Sequence, residues 1–289
     1  MQKSFPAADV QRVVGARPER WERVESGGYG RVNAHWRVEL DNGRTAFVKQ
    51  ALTEDAETWL RKERLLYEDV RGTFMPVYFG ACDEDATVFL VIEDLSRGDW
   101  PPPWSPERIE RVLSMLAEVR AAQPPHALQR LEDLRERVVG WPTVRDDPEP
   151  LLSTGVRSRE WLERALPVLV QAGEDAELAG DELLHFDVRS DNLCFVDDRT
   201  VLVDWNLACA GNGDFDIAFW LPSLKLEGGP DPQQVLPNAG PLAAAVAGFF
   251  AARAGLPPPA GAPTVREFQR RQLEVALPWA ASELGLAVS

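Results

Sequence analysis

His185-Phe-Asp-Val-Arg-Ser-Asp-Asn192 is the most informative stretch of this 289-residue chain, together with Asp204, which lies twelve residues beyond Asn192. The sequence around the stretch predicts its local structure. Short apolar runs precede it and follow it, and the two that follow are separated by a polar segment at 197–200. A polar segment between two short apolar runs is typical of a β-hairpin. We therefore expect a hairpin between Asn192 and Asp204.

The predicted hairpin would bring two oxygen-bearing side chains together. We expect its turn just after Asp198. In that register Asn192 lies across the ladder from Asp204 or Trp205. Magnesium in phosphate-handling sites takes one or two protein oxygens and completes its coordination with waters and substrate phosphates. Asn192 and Asp204 are therefore the predicted metal ligands. Asp187, in the loop before the hairpin, is predicted to orient an attacking hydroxyl and to accept its proton.

The spacing of the stretch also carries a resemblance. Its H-x-D-x-x-x-x-N pattern matches the catalytic loop of protein kinases and their relatives. Asp204 is followed by Trp205, and residues 213–218 read Gly-Asp-Phe-Asp-Ile-Ala. The chain resembles the aminoglycoside phosphotransferases and related small-molecule kinases, whose loop usually reads H-G-D-x-x-x-x-N before an Asp-Trp pair. Phe186 replaces the usual glycine. This change removes no catalytic atom but could alter how the loop packs.

The resemblance implies an α+β, bilobal, protein-kinase-like fold. The expected parts are a nucleotide-binding lobe at 1–92, with a small antiparallel sheet and one helix, a hinge and linker at 93–103, and a larger, mostly helical catalytic and substrate-binding lobe at 104–289. The residue patterns point the same way. The first ninety residues contain strand-like segments, two of them joined across Asp-Asn-Gly at 41–43, which is a strong hairpin signal.

Helix starts are predicted from residues that cap helix N-termini. These residues are Thr53, Ser105, Ser158 and Thr264. Thr264 also has the spacing of a capping box with Glu267. Segments 141–150 and 227–241 are rich in Pro, Gly and Asp and are predicted to be loops.

A glycine-rich turn lies between the first two strand-like segments. Such a turn lets backbone N–H groups approach phosphate oxygens. The predicted phosphate-binding residues are Ser26, Gly27, Gly28 and Gly30. The protein-kinase loop has a third glycine, and Asn33 stands in its place here.

Lys49 ends the third strand-like segment, as the lysine of the V-A-I-K motif does in kinases. The helix predicted after it carries Glu63 in the middle of its apolar stripe. Because a buried carboxylate is costly unless it is paired, Glu63 is the favoured partner of Lys49. Glu57 is the alternative, although it lies off the stripe. A lysine held by a helix glutamate would be positioned to reach the α- and β-phosphates of a nucleotide.

The resemblance implies further roles. A strand such as 87–92 enters the hinge in this family, so Val91 and Glu93 are expected near the nucleobase of ATP or GTP. Arg189 lies where serine/threonine kinases carry a lysine. It could contact the transferring phosphate, or it could form a surface ion pair, and the sequence leaves both open. Asp216 is expected to accept hydrogen bonds from the backbone of the catalytic loop.

Composition limits the function classes. A net charge of −15 argues against non-specific binding to nucleic acid, which normally needs a basic patch. The N-terminus has no apolar core of signal-peptide length, and the most apolar stretch, residues 242–252, is about half the length of a membrane span. The cysteines do not form a disulfide or metal-binding pattern; they are Cys82, Cys194 and Cys209. We therefore expect a cytoplasmic protein without an obligate protein partner.

The expected function is transfer of the γ-phosphate of ATP or GTP, with Mg²⁺, to a hydroxyl of a small molecule such as an aminoglycoside or amino sugar. The negative charge would attract a cationic acceptor, and Asp191 and Asp214 could line its site. The alternative is that the acidic surface only keeps the protein soluble. Other acceptors remain open: a choline-like amine, a fructosamine, homoserine or a macrolide. A non-catalytic, nucleotide-binding pseudokinase is the alternative outside enzymes. A protein kinase is disfavoured because Trp-Asn, not Phe-Gly, follows Asp204.

Overall fold

The chain folds into two units, seen in a computed structural model that describes residues 4–25, 32–84, 87–259 and 262–287. The first unit consists of Met1–Trp100 and Asn192–Leu207. The second consists of Pro101–Asp191 and Ala208–Ser289. Residues 192–207, which contain the predicted hairpin, therefore group with the first unit.

The elements of both units follow in chain order. The strands are β1 (Pro18–Val24), β2 (Asn33–Leu40), β3 (Thr45–Ala51), β4 (Tyr78–Glu84), β5 (Thr87–Glu93), β6 (Glu182–Leu184), β7 (Leu193–Val196), β8 (Arg199–Leu202) and β9 (Cys209–Gly211). The helices are α1 (Ala7–Val14), α2 (Glu54–Asp69), α3 (Pro106–Ala121), α4 (Arg135–Val139), α5 (Trp141–Asp146), α6 (Glu149–Ser153), α7 (Arg159–Glu174), α8 (Asp214–Leu226), α9 (Pro232–Val235), α10 (Gly240–Ala254) and α11 (Val265–Glu283).

The first unit is built on an antiparallel sheet with the strand order β1-β2-β3-β5-β4. The turn predicted at 41–43 joins β2 to β3, and Gly43 takes a left-handed φ of 78° there. One face of the sheet packs against α1 through a buried cluster that includes Val10, Val48 and Phe89. Side chains alternate along a strand, so Lys49 lies on the opposite face of the sheet from Val48. That face carries the candidate site.

The hairpin predicted after Asn192 is present as β7 and β8, but its predicted register is wrong. Leu193 pairs with Leu202. The Val203 N–H donates to the Asn192 carbonyl at 3.0 Å, so Asn192 lies across from Val203. The reason is a tight two-residue turn at 197–198, in which Asp197 has a φ of 50°. Tight turns with a positive φ match the twist of a hairpin, and the residues from 199 onward therefore join the ladder.

The second unit is mostly helical, and its helices begin largely as predicted. Ser105 Oγ accepts from the Arg108 N–H, and Ser158 Oγ accepts from the Trp161 N–H, each at 3.2 Å. In the first unit, Thr53 caps α2 in the same way. Strands β6 and β9 pair beside these helices. The antiparallel sheet and the helical second unit confirm the predicted α+β class. Among the described residues, none of the helices has the length and apolar character that crossing a membrane requires.

Three local predictions for the second unit are wrong. Thr264 precedes α11, but its side chain makes no capping hydrogen bond. Segment 141–150, predicted to be a loop, contains α5 and the start of α6. Trp141 is fully buried there, and its Nε1 donates to the Ala244 carbonyl at 2.7 Å. Burial of such a face stabilises a short helix that composition does not favour. Segment 227–241 likewise contains α9 and the start of α10.

Candidate functional site

Lys49 is at the centre of the candidate site of the first unit. Its Nζ lies 2.6 Å from Glu63 Oε2, and the two residues are only 5% and 1% exposed. Strand β3 and helix α2 bring them together because Glu63 lies on the buried stripe of α2. The predicted ion pair is therefore confirmed. Glu57, the alternative partner, lies 3.4 Å from Arg61.

Glu63 has a second buried partner that the sequence analysis missed. The Tyr67 hydroxyl donates to Glu63 Oε1 at 3.3 Å, and the Tyr67 ring stacks on Tyr78 with 5.6 Å between centroids. Burial raises the pKa of Glu63, whereas the Lys49 ammonium opposes that rise. Tyr67 follows Glu63 by four residues in α2, a spacing that places two side chains on one helix face. That spacing was the available signal.

Lys49 also contacts the end of the hairpin. Its Nζ donates to Asp204 Oδ1. Burial lowers the pKa of Lys49. The carboxylates of Asp204 and Glu63 raise this pKa by more than burial lowers it, so it lies above its ordinary value. The ammonium is therefore charged at neutral pH. Asp204 has a left-handed φ of 65°, which is uncommon for a residue with a side chain and occurs often at functional sites.

The two predicted metal ligands lie at the open end of the β7–β8 hairpin. Asn192 is buried, and its backbone carbonyl accepts a hydrogen bond from the Val203 N–H across the ladder. The Asp204 side chain is 51% exposed. An amide oxygen and a carboxylate are hard oxygen donors, and the exposed carboxylate is accessible to a hydrated ion, so this donor set fits magnesium. The described residues contain no group of three or more His, Cys, Asp or Glu side chains that could hold a metal.

The residues predicted near the nucleobase lie in and at the end of β5. Val91 pairs with Val48 on one side and Gly80 on the other, so its backbone belongs to the interior of the sheet. The Glu93 N–H donates to the Val77 carbonyl at 2.8 Å. A nucleobase binding at the end of β5 would therefore meet the residues that follow Glu93. The predicted phosphate-binding residues Ser26, Gly27, Gly28 and Gly30 lie outside the described residues.

In the second unit, α8 anchors the start of the loop that carries Asp187. The backbone N–H groups of His185 and Phe186 donate to the two carboxylate oxygens of Asp216 at 2.7 and 2.8 Å. This confirms the expected role of Asp216. Burial raises the pKa of Asp216 to about 7, and the two backbone hydrogen bonds oppose the rise. His185 is fully buried, and its Nδ1 accepts from the Asp187 N–H at 3.3 Å.

Phe186 has a backbone conformation that is unusual for a residue with a side chain. Its φ is 63°, in the left-handed region, where a side chain costs roughly 1–2 kcal/mol. Its ring lies 5.8 Å from the centroids of both Phe215 and Phe219 on α8. Aromatic contacts of this kind offset the backbone cost. Phe186 is therefore held by ring packing in a conformation that glycine would adopt freely.

Charged residues on this loop are paired with one another. Arg189 Nη2 lies 2.7 Å from Asp191 Oδ2, and Arg189 Nε lies 3.7 Å from Asp187 Oδ1. The ion-pair alternative for Arg189 is therefore present. Asp214 is paired with Arg120 at 2.6 Å. Both carboxylates expected to line a cationic acceptor site, Asp191 and Asp214, thus already have arginine partners.

Comparisons with known proteins find a shared fold. No protein-family model matches the chain, and no curated protein matches it. Among solved structures, a proposed fructosamine-3-kinase from Thermobifida fusca YX-ER1 is 22% identical, with 94% of this chain and 98% of that chain covered and a TM-score of 0.57. A second proposed fructosamine-3-kinase, from Haemophilus somnus 129PT, is 15% identical, with coverages of 96% and 95% and a TM-score of 0.54.

The amicoumacin kinase hAmiN, in complex with AMP-PNP, Ca²⁺ and Ami, is also similar. It is 12% identical, with coverages of 92% and 91% and a TM-score of 0.55. The fold of this chain is therefore the bilobal protein-kinase-like fold found in small-molecule kinases. At these identities the comparisons establish the fold, and the function must be argued from the residues.

Proposed function

We propose that this chain is a phosphotransferase that moves the γ-phosphate of ATP, or of GTP, to a hydroxyl of a small molecule. The observation that carries the proposal is the placement of Lys49 between the buried Glu63 and the hairpin residue Asp204. A strand lysine fixed by a helix glutamate and close to a metal-binding aspartate is the arrangement that kinases use for a nucleoside triphosphate. A charge held this way needs no reorganisation when phosphate arrives.

Each remaining residue has a role that its surroundings support. Asp187 would orient the acceptor hydroxyl and take its proton, on a loop that Asp216 anchors. Asn192 and Asp204 would hold the magnesium. When bound, this ion would neutralise charge on the phosphates. Arg189 remains a candidate to offset charge on the transferring phosphate, although it now has two carboxylate partners.

The acceptor is the open part of the proposal. An aminoglycoside or amino sugar is our first candidate, because the net charge of −15 would attract a cation. A fructosamine, a choline-like amine, homoserine and a macrolide remain alternatives. The similar structures bear names that refer to different acceptors, so they do not choose among these. A reaction that consumes ATP suits a cytoplasmic location. The competing non-enzyme function is a nucleotide-binding pseudokinase.

The test is a phosphate-transfer screen with ATP, GTP and Mg²⁺ against a panel of amines, amino sugars, fructosamines and antibiotics. We expect transfer to at least one acceptor. Asp187→Asn should keep its fold and its nucleotide affinity while turnover falls by roughly two to four orders of magnitude, the usual range for general acid–base groups. Nucleotide binding without transfer to any acceptor would favour the pseudokinase. Turnover like that of the wild type in Asp187→Asn would remove Asp187 from its role.

A further inference from the structure

Glu227 links three parts of the second unit through its carboxylate. It is the first residue after α8. Its Oε1 accepts from the Ser190 hydroxyl at 2.6 Å, and its Oε2 accepts from Trp104 Nε1 at 2.8 Å. The Trp104 ring packs edge-on against Trp220 of α8, with 5.4 Å between centroids. Both oxygens of the carboxylate are therefore engaged, and Trp104 is itself held in place.

Ser190 connects Glu227 to the loop that carries Asp187. Ser190 follows Asp187 by three residues, on the loop whose start is anchored by Asp216. Asp216 lies in the first turn of α8, and Glu227 lies directly after its last residue. At about 1.5 Å of rise per helical residue, the Cα atoms of these two residues are roughly 16 Å apart along the helix. One helix thus anchors the loop on both sides of Asp187.

We propose that Glu227 is a positioning residue for Asp187 and acts through Ser190. This inference rests on the proposed function, in which Asp187 meets the acceptor hydroxyl. A carboxylate can accept from two donors at once. A glutamine in its place could keep both contacts, because its oxygen can accept from Trp104 and its NH₂ group can donate to the Ser190 oxygen. Leucine has a similar size and can neither accept nor donate, so Glu227→Leu removes both contacts.

The experiment compares Glu227→Leu, Ser190→Ala and the double variant with the wild type. Glu163→Leu is the matched control, because it makes the same change at an exposed position on α7. Three quantities are measured: the kcat and KM values of phosphate transfer to the acceptor found by screening, the affinity for ATP–Mg²⁺ by calorimetry, and hydrogen–deuterium exchange of peptides that cover 185–191.

Positioning predicts a specific pattern. Because small displacements of a catalytic group are costly, kcat should fall about tenfold or more in Glu227→Leu and in Ser190→Ala. The affinity for ATP–Mg²⁺ should stay within about twofold of the wild-type value, since the inference concerns only the loop that carries Asp187. Peptides covering 185–191 should exchange faster. The double variant should be no worse than the more severe single variant, because both changes remove the same contact.

Other outcomes would overturn the inference. They are an unchanged kcat in Glu227→Leu, a parallel loss of kcat and ATP affinity, or effects of the two single changes that add fully in the double variant. Unchanged exchange at 185–191 would also overturn it. Failure of the proposed function would look different: the wild type would transfer phosphate to no acceptor, while the exchange measurement would still decide whether Glu227 anchors the loop.

Discussion

Replacing Lys49 by methionine tests the buried ion pair at the centre of the candidate site. Removal of one partner from a buried pair costs about 3–5 kcal/mol, because the other charge stays buried without compensation. Glu63 is 1% exposed, so the full penalty applies to it, but the Tyr67 hydroxyl remains as a donor. Asp204 also loses a partner, although its half-exposed side chain can turn to water. We therefore expect a loss near the lower end, about 3 kcal/mol.

The assay is thermal and urea unfolding of the wild type, Lys49→Met, Glu63→Leu and the double variant. At roughly 2 °C per kcal/mol for a chain of 289 residues, Lys49→Met should melt about 6 °C lower. The double variant should regain most of that stability, because apolar side chains replace both charges, but should not regain nucleotide use. Arg64→Met, which removes the exposed pair with Glu68 on the same helix, is the control and should change little. Fully additive losses in the double variant would refute the coupling.

Further predictions concern the metal and the buried carboxyl group. Asp204→Ala should abolish magnesium-dependent nucleotide binding and Asn192→Ala should weaken it, because each removes an oxygen ligand; unchanged affinity by calorimetry in Asp204→Ala would contradict the metal site. Burial raises the pKa of Asp216 to about 7 in the folded state. The folded protein therefore binds this proton more tightly than the unfolded chain, which stabilises the fold. This stabilisation is fully present below about pH 4 and is lost as the pH rises through 7. The melting temperature of the wild type minus that of Asp216→Asn should therefore decrease between pH 4 and pH 7. A difference that stays constant over this range would argue against the raised pKa.

The sequence predicted features that depend on neighbouring residues. The caps at Ser105 and Ser158 formed because a hydroxyl only needs to reach an N–H three residues on. The Lys49–Glu63 pair was predictable because a carboxylate on an apolar helix stripe demands a partner. The caps follow from one local rule, whereas the choice of Lys49 as the partner of Glu63 also used the resemblance to the kinase lysine.

Other features depended on choices that no local rule makes. The register of the β7–β8 hairpin depends on which aspartate of the turn takes a positive φ, and Asp197 and Asp198 are equally suited by type. Helix α5 forms around Trp141, whose partner Ala244 lies about a hundred residues away in sequence. The hydrogen bond from Lys49 to Asp204 likewise joins residues that are distant in sequence.

The left-handed backbone at Phe186 has a consequence for the unfolded chain. Glycine would relieve the strain in the folded loop, but it would add conformational freedom to the unfolded state and so raise the entropy lost on folding. Alanine would keep the strained φ and lose the ring that offsets it. The usual preference for alanine over glycine should therefore be reversed here.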